Sequence, residues 1–224
     1  MTTTSERTTD RSGLLDPFAG HQPLHVRYAA GELITHVGSY AAGVYSIRNG
    51  LIQEITPARL PTPDDGGVIE LLGPGDLLGL EPFLPVAQEL HLSSSRALTE
   101  TRLSFLERSA LLAAIERDED LRTWIIGHLA ERLYRTRTDA SARSASAVER
   151  LRVLLVRLGS AWAPASESAI LPEEIDRRVL SGLLGVSTSR ISQALRTLGV
   201  TEAAGSLRLT VDVSALREET APRS

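Results

Sequence analysis

From residue 187 the chain reads Ser-Thr-Ser-Arg-Ile-Ser-Gln-Ala-Leu-Arg-Thr-Leu. Wound as an α-helix, Ile191, Leu195 and Leu198 line one face at i, i+4, i+7 spacing. On the other face stand Thr188, Ser189, Arg190, Ser192, Gln193, Arg196 and Thr197, with Ser187 as the helix cap. That face holds two guanidinium groups, no carboxylate and several hydroxyls and amides. Such groups bind phosphates and read base edges: glutamine pairs bidentately with adenine, arginine with guanine. The chemistry predicted is recognition of double-stranded DNA. An ordinary helical hairpin with a solvated polar face has the same pattern.

The neighbouring residues are the ones needed to position such a helix. Asp176 is placed to cap a preceding helix with Val179, Leu180, Leu183 and Leu184 on one face, and Gly185 to end it in the left-handed conformation. Two short helices about a tight glycine turn make a helix-turn-helix, whose second helix enters the major groove. Downstream, Glu202-Ala203-Ala204-Gly205-Ser206 leads into the alternating Leu207-Arg208-Leu209-Thr210-Val211. This predicts a small hairpin wing that carries Ser206 and Arg208 near the DNA backbone.

Other chemistries find little support. The chain has no cysteine, so disulfides, cysteine-ligated clusters and a catalytic thiol are excluded. All 24 basic residues are arginine, so any cationic contact uses a planar fork; an arginine-biased genome gives the same composition. His21, His25, His36, His91 and His128 match no compact metal motif, and His128 reads as a packed or interface side chain. There is no nucleophile elbow and no Walker loop, and Glu32, Glu70 and Glu81 have no evident acid–base partner. The expectation is a protein that is not an enzyme and has neither metal nor cofactor. The net charge of −4 hides an asymmetry: residues 1–147 hold 14 arginines against 19 acids, residues 148–224 hold 10 against 9. This permits a C-terminal nucleic-acid contact without requiring one. No apolar run approaches the about 18–20 residues of a membrane span, and the polar N-terminus lacks a secretory core. A cytoplasmic protein without membrane association is expected.

Residues 1–20 are polar and aperiodic and predict a flexible arm. From Leu24 to Leu106 short apolar or alternating runs (Leu33-Ile34, Val44–Ile47, Leu51–Ile55, Val68–Leu72, Arg102–Leu106) are punctuated by glycines, with Asp64-Asp65-Gly66-Gly67 as a hairpin tip. This predicts an all-β sandwich or barrel. After Glu107 the period changes to helical: a short helix about Ala110–Ile115, then a longer one from Asp118 to Arg137 with acids at its start. The stripe Leu121, Trp124, Ile125, Leu129, Leu133 and Tyr134 is wide enough to be gripped on two sides, by its own β domain and by a second subunit. Burial in a larger core explains the same stripe. Arg135–Ala145 lacks large apolar residues and reads as a hinge or frayed end; Ser146 and Glu149 then form a capping box for a helix with Leu151, Leu154, Leu155 and Leu158.

Taken together, the chain resembles the Crp–Fnr family of transcription regulators over about Leu24 to Val211. The resemblance rests on Ala30–Ile34, Gly38, Ala42–Gly50 and Leu72–Gly79 in the first half. In the second half it rests on Leu183–Ser187, Ile191-Ser192 and Ala194–Leu198. It implies an α+β chain: an N-terminal double-stranded β-helix (a jelly-roll-like β-roll), a long dimerisation helix and a C-terminal winged helix-turn-helix. The corresponding domains are a flexible arm (1–20), a cyclic-nucleotide-binding-like sensor (21–117), a dimerisation helix and hinge (118–143) and a DNA-binding domain (144–224). The implied partners are a twofold-symmetric DNA operator, a second copy of the chain meeting through Leu121, Trp124, Ile125, His128, Leu129 and Leu133, and RNA polymerase.

Two departures qualify the resemblance. Family members that bind cyclic AMP carry Gly-Glu-Leu followed some ten residues later by Arg-Ser. Here Gly79 is followed by Leu80, with Glu81 one place late, and His91 and Leu92 stand where Arg-Ser would fall; Arg96 comes closer only if the gap is moved. The expected effector pocket is Gly79, Leu80, Glu81, His91 and Arg96, and control by cyclic AMP is not expected. The recognition helix also shows Ser189 and Gln193 where many members have glutamate and arginine, so a different operator is expected. A ligand-binding or protein-interaction module whose helical tail does not bind DNA is the alternative.

Overall fold

Valine, isoleucine and leucine alternating with polar residues fit a pleated surface that is buried on one side. In the computed structural model those runs form β1 (Leu24–Tyr28), β2 (Leu33–Thr35), β3 (Gly43–Asn49), β4 (Ile52–Thr56), β5 (Gly67–Leu72), β6 (Leu77–Leu78), β7 (Ser94–Ala97) and β8 (Thr101–Glu107). The structure describes residues 16–56, 67–80, 89–141, 145–162, 168–202 and 209–218. They divide into two compact units, 1–134 and 135–224.

In the first unit the strands form two antiparallel four-stranded sheets, ordered β1-β8-β3-β6 and β2-β7-β4-β5. Ile47, Leu78 and Leu103 of one sheet pack against Ile52 and Leu72 of the other, which makes the expected β-roll. A second core forms on the outer face of the first sheet, where Val44, Leu77 and Leu106 meet α1 (Arg108–Arg117) and α2 (Glu119–Ser141) through Leu111, Ala114, Leu121 and Ile125. Asp118 opens α2: its carboxylate accepts the Leu121 N–H at 2.9 Å and lies 3.1 Å from His21 Nε2. That backbone bond, with the His21 contact behind it, holds the Asp118 carboxyl below the usual carboxylate range.

The loose arm expected over residues 1–20 does not extend to Asp16 and beyond. Phe18 is fully buried in the outer core. Asp16 accepts from Arg48 at 2.6 Å and from Ser104 at 2.7 Å. An apolar anchor and a buried carboxylate, each with partners far along the chain, override a polar local composition. Residues 1–15, the hairpin-tip residues Asp64, Asp65 and Gly66, and Glu81 lie outside the described residues. The expected hinge is also shorter than read: the helix continues from Arg135 to Ser141.

The second unit comprises α3 (Ala147–Trp162), β9 (Ser168–Ile170), α4 (Arg177–Leu184), α5 (Thr188–Thr197), β10 (Thr201–Glu202), β11 (Leu209–Asp212) and α6 (Val213–Glu218). Leu151, Leu154, Leu155 and Leu158 of α3 supply its core, joined by Leu171, Ile175, Leu180, Ile191, Leu195 and Val211. Half of the capping box forms as read: the Glu149 N–H donates to Ser146 Oγ at 3.2 Å. The Glu149 carboxylate instead takes a two-pronged bond from Arg152, whose Nη1 donates to the Leu216 carbonyl at 2.9 Å. The buried Arg152 thereby ties α3 to α6. β9 pairs with β11, so the small sheet has three strands rather than two.

Candidate nucleic-acid interface

The α4–α5 pair is built by its caps. Asp176 Oδ1 accepts the N–H groups of Arg178 and Val179 at 2.8 and 2.9 Å. Gly185 ends α4 at φ 60°, a left-handed conformation that costs glycine little. At the same end the Arg150 guanidinium donates to the Leu184 carbonyl. The Ser181 hydroxyl donates to the Val186 carbonyl at 2.6 Å, which fixes the turn. Of the four apolar residues expected on the inner face of α4, Leu180 is buried, and Val179, Leu183 and Leu184 are half-buried.

Ile191, Ala194 and Leu195 fix α5 by burial. Ser187, Thr188, Ser189, Arg190, Gln193, Arg196 and Thr197 are exposed, as their predicted face requires. Ser192 is half-buried, and its hydroxyl donates to the Thr188 carbonyl at 3.0 Å. The Thr197 hydroxyl likewise donates to the Gln193 carbonyl at 3.1 Å. Ser187 occupies the cap position, but its hydroxyl meets that of Ser189 at 3.0 Å instead of capping the helix backbone. Arg190, Gln193 and Thr197 border a cavity of about 290 Å³ beside the start of α3. Ser206 and Arg208 lie outside the described residues.

The expected interface on α2 divides in two. Leu121 and Ile125 are buried and Trp124 partly buried in the outer core of their own β-roll. His128 is buried too, stacked on Trp124 at 5.3 Å, with its Nε2 3.4 Å from the Leu77 N–H that donates to it. These four side chains belong to the intramolecular face, because Phe18, Val44 and Leu77 supply the apolar partners that sequence alone left unnamed. Ile126, Leu133 and Tyr134 are exposed well away from that face, and Leu129, the least exposed of the four, borders it one turn from Ile125.

In the β-roll, the structure brings Gly79 against the buried His91: a Cβ at Gly79 would lie 3.1 Å from His91 Cε1. The Leu80 and Arg96 side chains are not brought to them, and Glu81 lies outside the described residues. Leu80 is buried in the outer core. Arg96 is exposed and donates to the Gly31 carbonyl at 2.6 Å. The interior instead holds groups the sequence reading did not single out, or left without a partner. Arg132 of α2 donates to Glu54 Oε2 at 2.6 Å and to Glu70 Oε2 at 2.9 Å, and Ser93 donates to Glu54 Oε1 at 2.6 Å. The available signal was a charged residue at an inward step of β4, two along from the core residue Ile52. Glu32, also read without a partner, accepts the Ala29 N–H at 2.7 Å in a local turn.

On β3, burial raises the Tyr45 phenol far above its ordinary 10.0, with the neighbouring Tyr28 hydroxyl adding to the effect. A raised value in the folded state means that stability is intact below the unfolded value and falls as pH rises above about 10. The chain has four tyrosines and no lysine or cysteine, so tyrosines dominate its alkaline side-chain titration. Absorbance at 295 nm is expected to show Tyr45 ionising only as the chain unfolds, and Tyr45→Phe to remove that late step.

Residues 25–118 match the family model of the cyclic nucleotide-binding domain. The match spans nearly the whole β-roll, which is therefore similar to a cyclic nucleotide-binding domain. No curated protein sequence matches the chain, but solved structures resemble nearly all of it. FixK2 from Bradyrhizobium japonicum is 20% identical, covering 88% of this chain and 96% of that one, with a TM-score of 0.71. A CRP/FNR-family transcriptional regulator from Thermus thermophilus is 18% identical, covering 90% and 100%, with a TM-score of 0.68. The c-di-GMP-responsive global regulator CLP of Xanthomonas campestris is 19% identical, covering 86% and 96%, with a TM-score of 0.65. At these identities the likeness is one of fold, and it meets the resemblance read in the sequence. Among the described residues no helix is long and apolar enough to cross a membrane.

In the described part of the β-roll, neither Arg96 nor Arg132 is placed to meet a cyclic phosphate. A buried cyclic phosphate needs a guanidinium or equivalent donors. Arg96 is exposed and bound to Gly31, and the Arg132 guanidinium already joins two carboxylates.

Proposed function

We propose that the chain is a homodimeric, sequence-specific DNA-binding transcription regulator of the Crp–Fnr type, working in the cytoplasm without control by cyclic AMP. In this reading residues 21–117 are the sensor, 118–143 the dimerisation helix and hinge, and 144–224 the DNA-binding domain. There α4 and α5 act as a helix-turn-helix, with β10 and β11 as its wing and RNA polymerase as the machinery acted upon. One observation carries the proposal: α5 buries a continuous apolar face while exposing Arg190, Gln193 and Arg196 with no acid among them. The fold shared with transcriptional regulators supports it, as does the exposed apolar side of α2. The mismatch between a cyclic phosphate and the roll interior supports independence from cyclic AMP.

The test is selection of bound fragments from a random DNA pool, followed by anisotropy titrations at several salt concentrations. Gln193→Ala is expected to relax base preference at one position of each half-site, at a cost of about 1–3 kcal/mol on the preferred site. Arg196→Ala is expected to weaken binding to all sequences and to lower the salt slope by about one. Equal losses from both on scrambled DNA would count against this division of roles. Enrichment of no sequence would favour the protein-interaction alternative, which the near balance of 10 arginines and 9 acids over residues 148–224 supports.

A further inference from the structure

A polar row crosses the inner face of the second sheet of the β-roll. Strand register sets Thr35 of β2 opposite Ser95 of β7, Ser95 opposite Glu54 of β4, and Glu54 opposite Glu70 of β5. The irregularity between Leu33 and Thr35 allows Thr35 to share the side of Ser95. The face is interior, since Ala97, Ile52 and Leu72, two residues along from Ser95, Glu54 and Glu70, are all buried. Arg132 closes the row by binding Glu54 and Glu70 together.

A second, independent feature lies at the other end. The hydroxyls of Thr35 and Ser95 are buried without a hydrogen-bond partner, in side chains 6% and 0% exposed. Thr35 also lines a cavity of about 270 Å³, together with Ser39, Tyr45 and His91. Two unmet hydroxyls on paired strands, beside a carboxylate and with Thr35 at the edge of a cavity, leave hydrogen-bonding capacity that a polar molecule meets, and the carboxylate favours one that donates.

We propose that the interior of this β-roll is a binding site for a small organic cation of the guanidinium or primary-ammonium class, with Arg132 as its built-in occupant. The carboxylates of Glu54 and Glu70 already accept a guanidinium, which shows the chemistry they suit. A cation entering from the Thr35 side donates to Thr35, Ser95 and Glu54 and competes with Arg132 for the last of these. An anionic nucleotide there would face two carboxylates. Binding loosens the hold of the roll on α2, because Arg132 is a residue of that helix. The proposal does not depend on whether the second unit binds DNA.

Calorimetric titration of the full chain tests it, with agmatine as the cation (it carries both groups) and cyclic AMP as the anionic counterpart. Agmatine is expected to bind saturably, and cyclic AMP to give no saturable heat. Thr35→Val and Ser95→Ala are expected to weaken agmatine severalfold while leaving thermal unfolding unchanged or raised, since each removes an unpartnered hydroxyl. Arg132→Ala is expected to tighten agmatine by about tenfold, because removing the internal competitor raises the fraction of open site. No saturable agmatine binding to wild type, affinity indifferent to both hydroxyl variants, or saturable cyclic AMP binding would each overturn the proposal. Should Arg132→Ala fail to fold, the two hydroxyl variants decide alone.

Discussion

Replacing Leu129 and Leu133 together by aspartate is expected to leave the chain monomeric in analytical ultracentrifugation and to lower its affinity for a twofold DNA site by about 100-fold or more. The two leucines are 37% and 52% exposed, and Ile126, at 60%, extends their stripe by one turn. Leu133 and Ile126 lie well away from the side of α2 that holds Leu121, Ile125 and His128 against the roll, and Leu129 borders that side one turn from Ile125. Thermal stability of the monomer is expected to fall by no more than about 1–2 kcal/mol, since Leu129 only borders the core. The DNA effect is large because each half-site contact is weak alone, and the dimer makes the second contact intramolecular. A dimer that survives both aspartates, with DNA affinity unchanged, removes α2 as the interface and with it the second-subunit half of the proposed function.

The second large effect lies in the β-roll. Gly43 opens β3 opposite Glu107 of β8, and a Cβ there would sit 2.3 Å from the Leu106 carbonyl oxygen and 2.6 Å from the Phe105 ring. The ring can turn aside; a backbone oxygen in the central strand pair cannot. Gly43→Ala is expected to destabilise the chain by about 3 kcal/mol, read as a fall in the thermal midpoint followed by circular dichroism. Gly73→Ala is the control. Its Cβ would meet only the end of the Leu51 side chain at an ordinary 3.5 Å, so stability is expected to be unchanged or to rise by up to about 1 kcal/mol. Equal midpoints for the two variants would show that β3 and β8 can part at no cost, contrary to their packing.

Local patterns were read where a residue acts within one turn or one strand step. The Asp176 cap, the Gly185 stop, the burial of Ile191 and Leu195, and the exposure of Arg190, Gln193 and Arg196 all depend on neighbours within a few positions. The strands of the roll were legible for the same reason. Reading failed where the partner lies far along the chain. Nothing near Phe18 or Asp16 marks an anchor, since Arg48 and Ser104 supply it.

Two decisions about function rest on contacts of this distant kind. Helical periodicity identifies a doubly wide apolar stripe on α2, but only packing assigns Leu121, Ile125 and His128 to the roll and leaves Leu129 and Leu133 outside. The family resemblance names Gly79, His91 and Arg96 as candidates for one pocket, yet strand pleat turns Arg96 outward, and Arg132 meets Glu70 and Glu54 from 62 and 78 positions away. Periodicity and capping are properties of adjacent residues and survive in one dimension. Which apolar face meets which partner, and which charge neutralises which, is set by loop closure and desolvation in three dimensions.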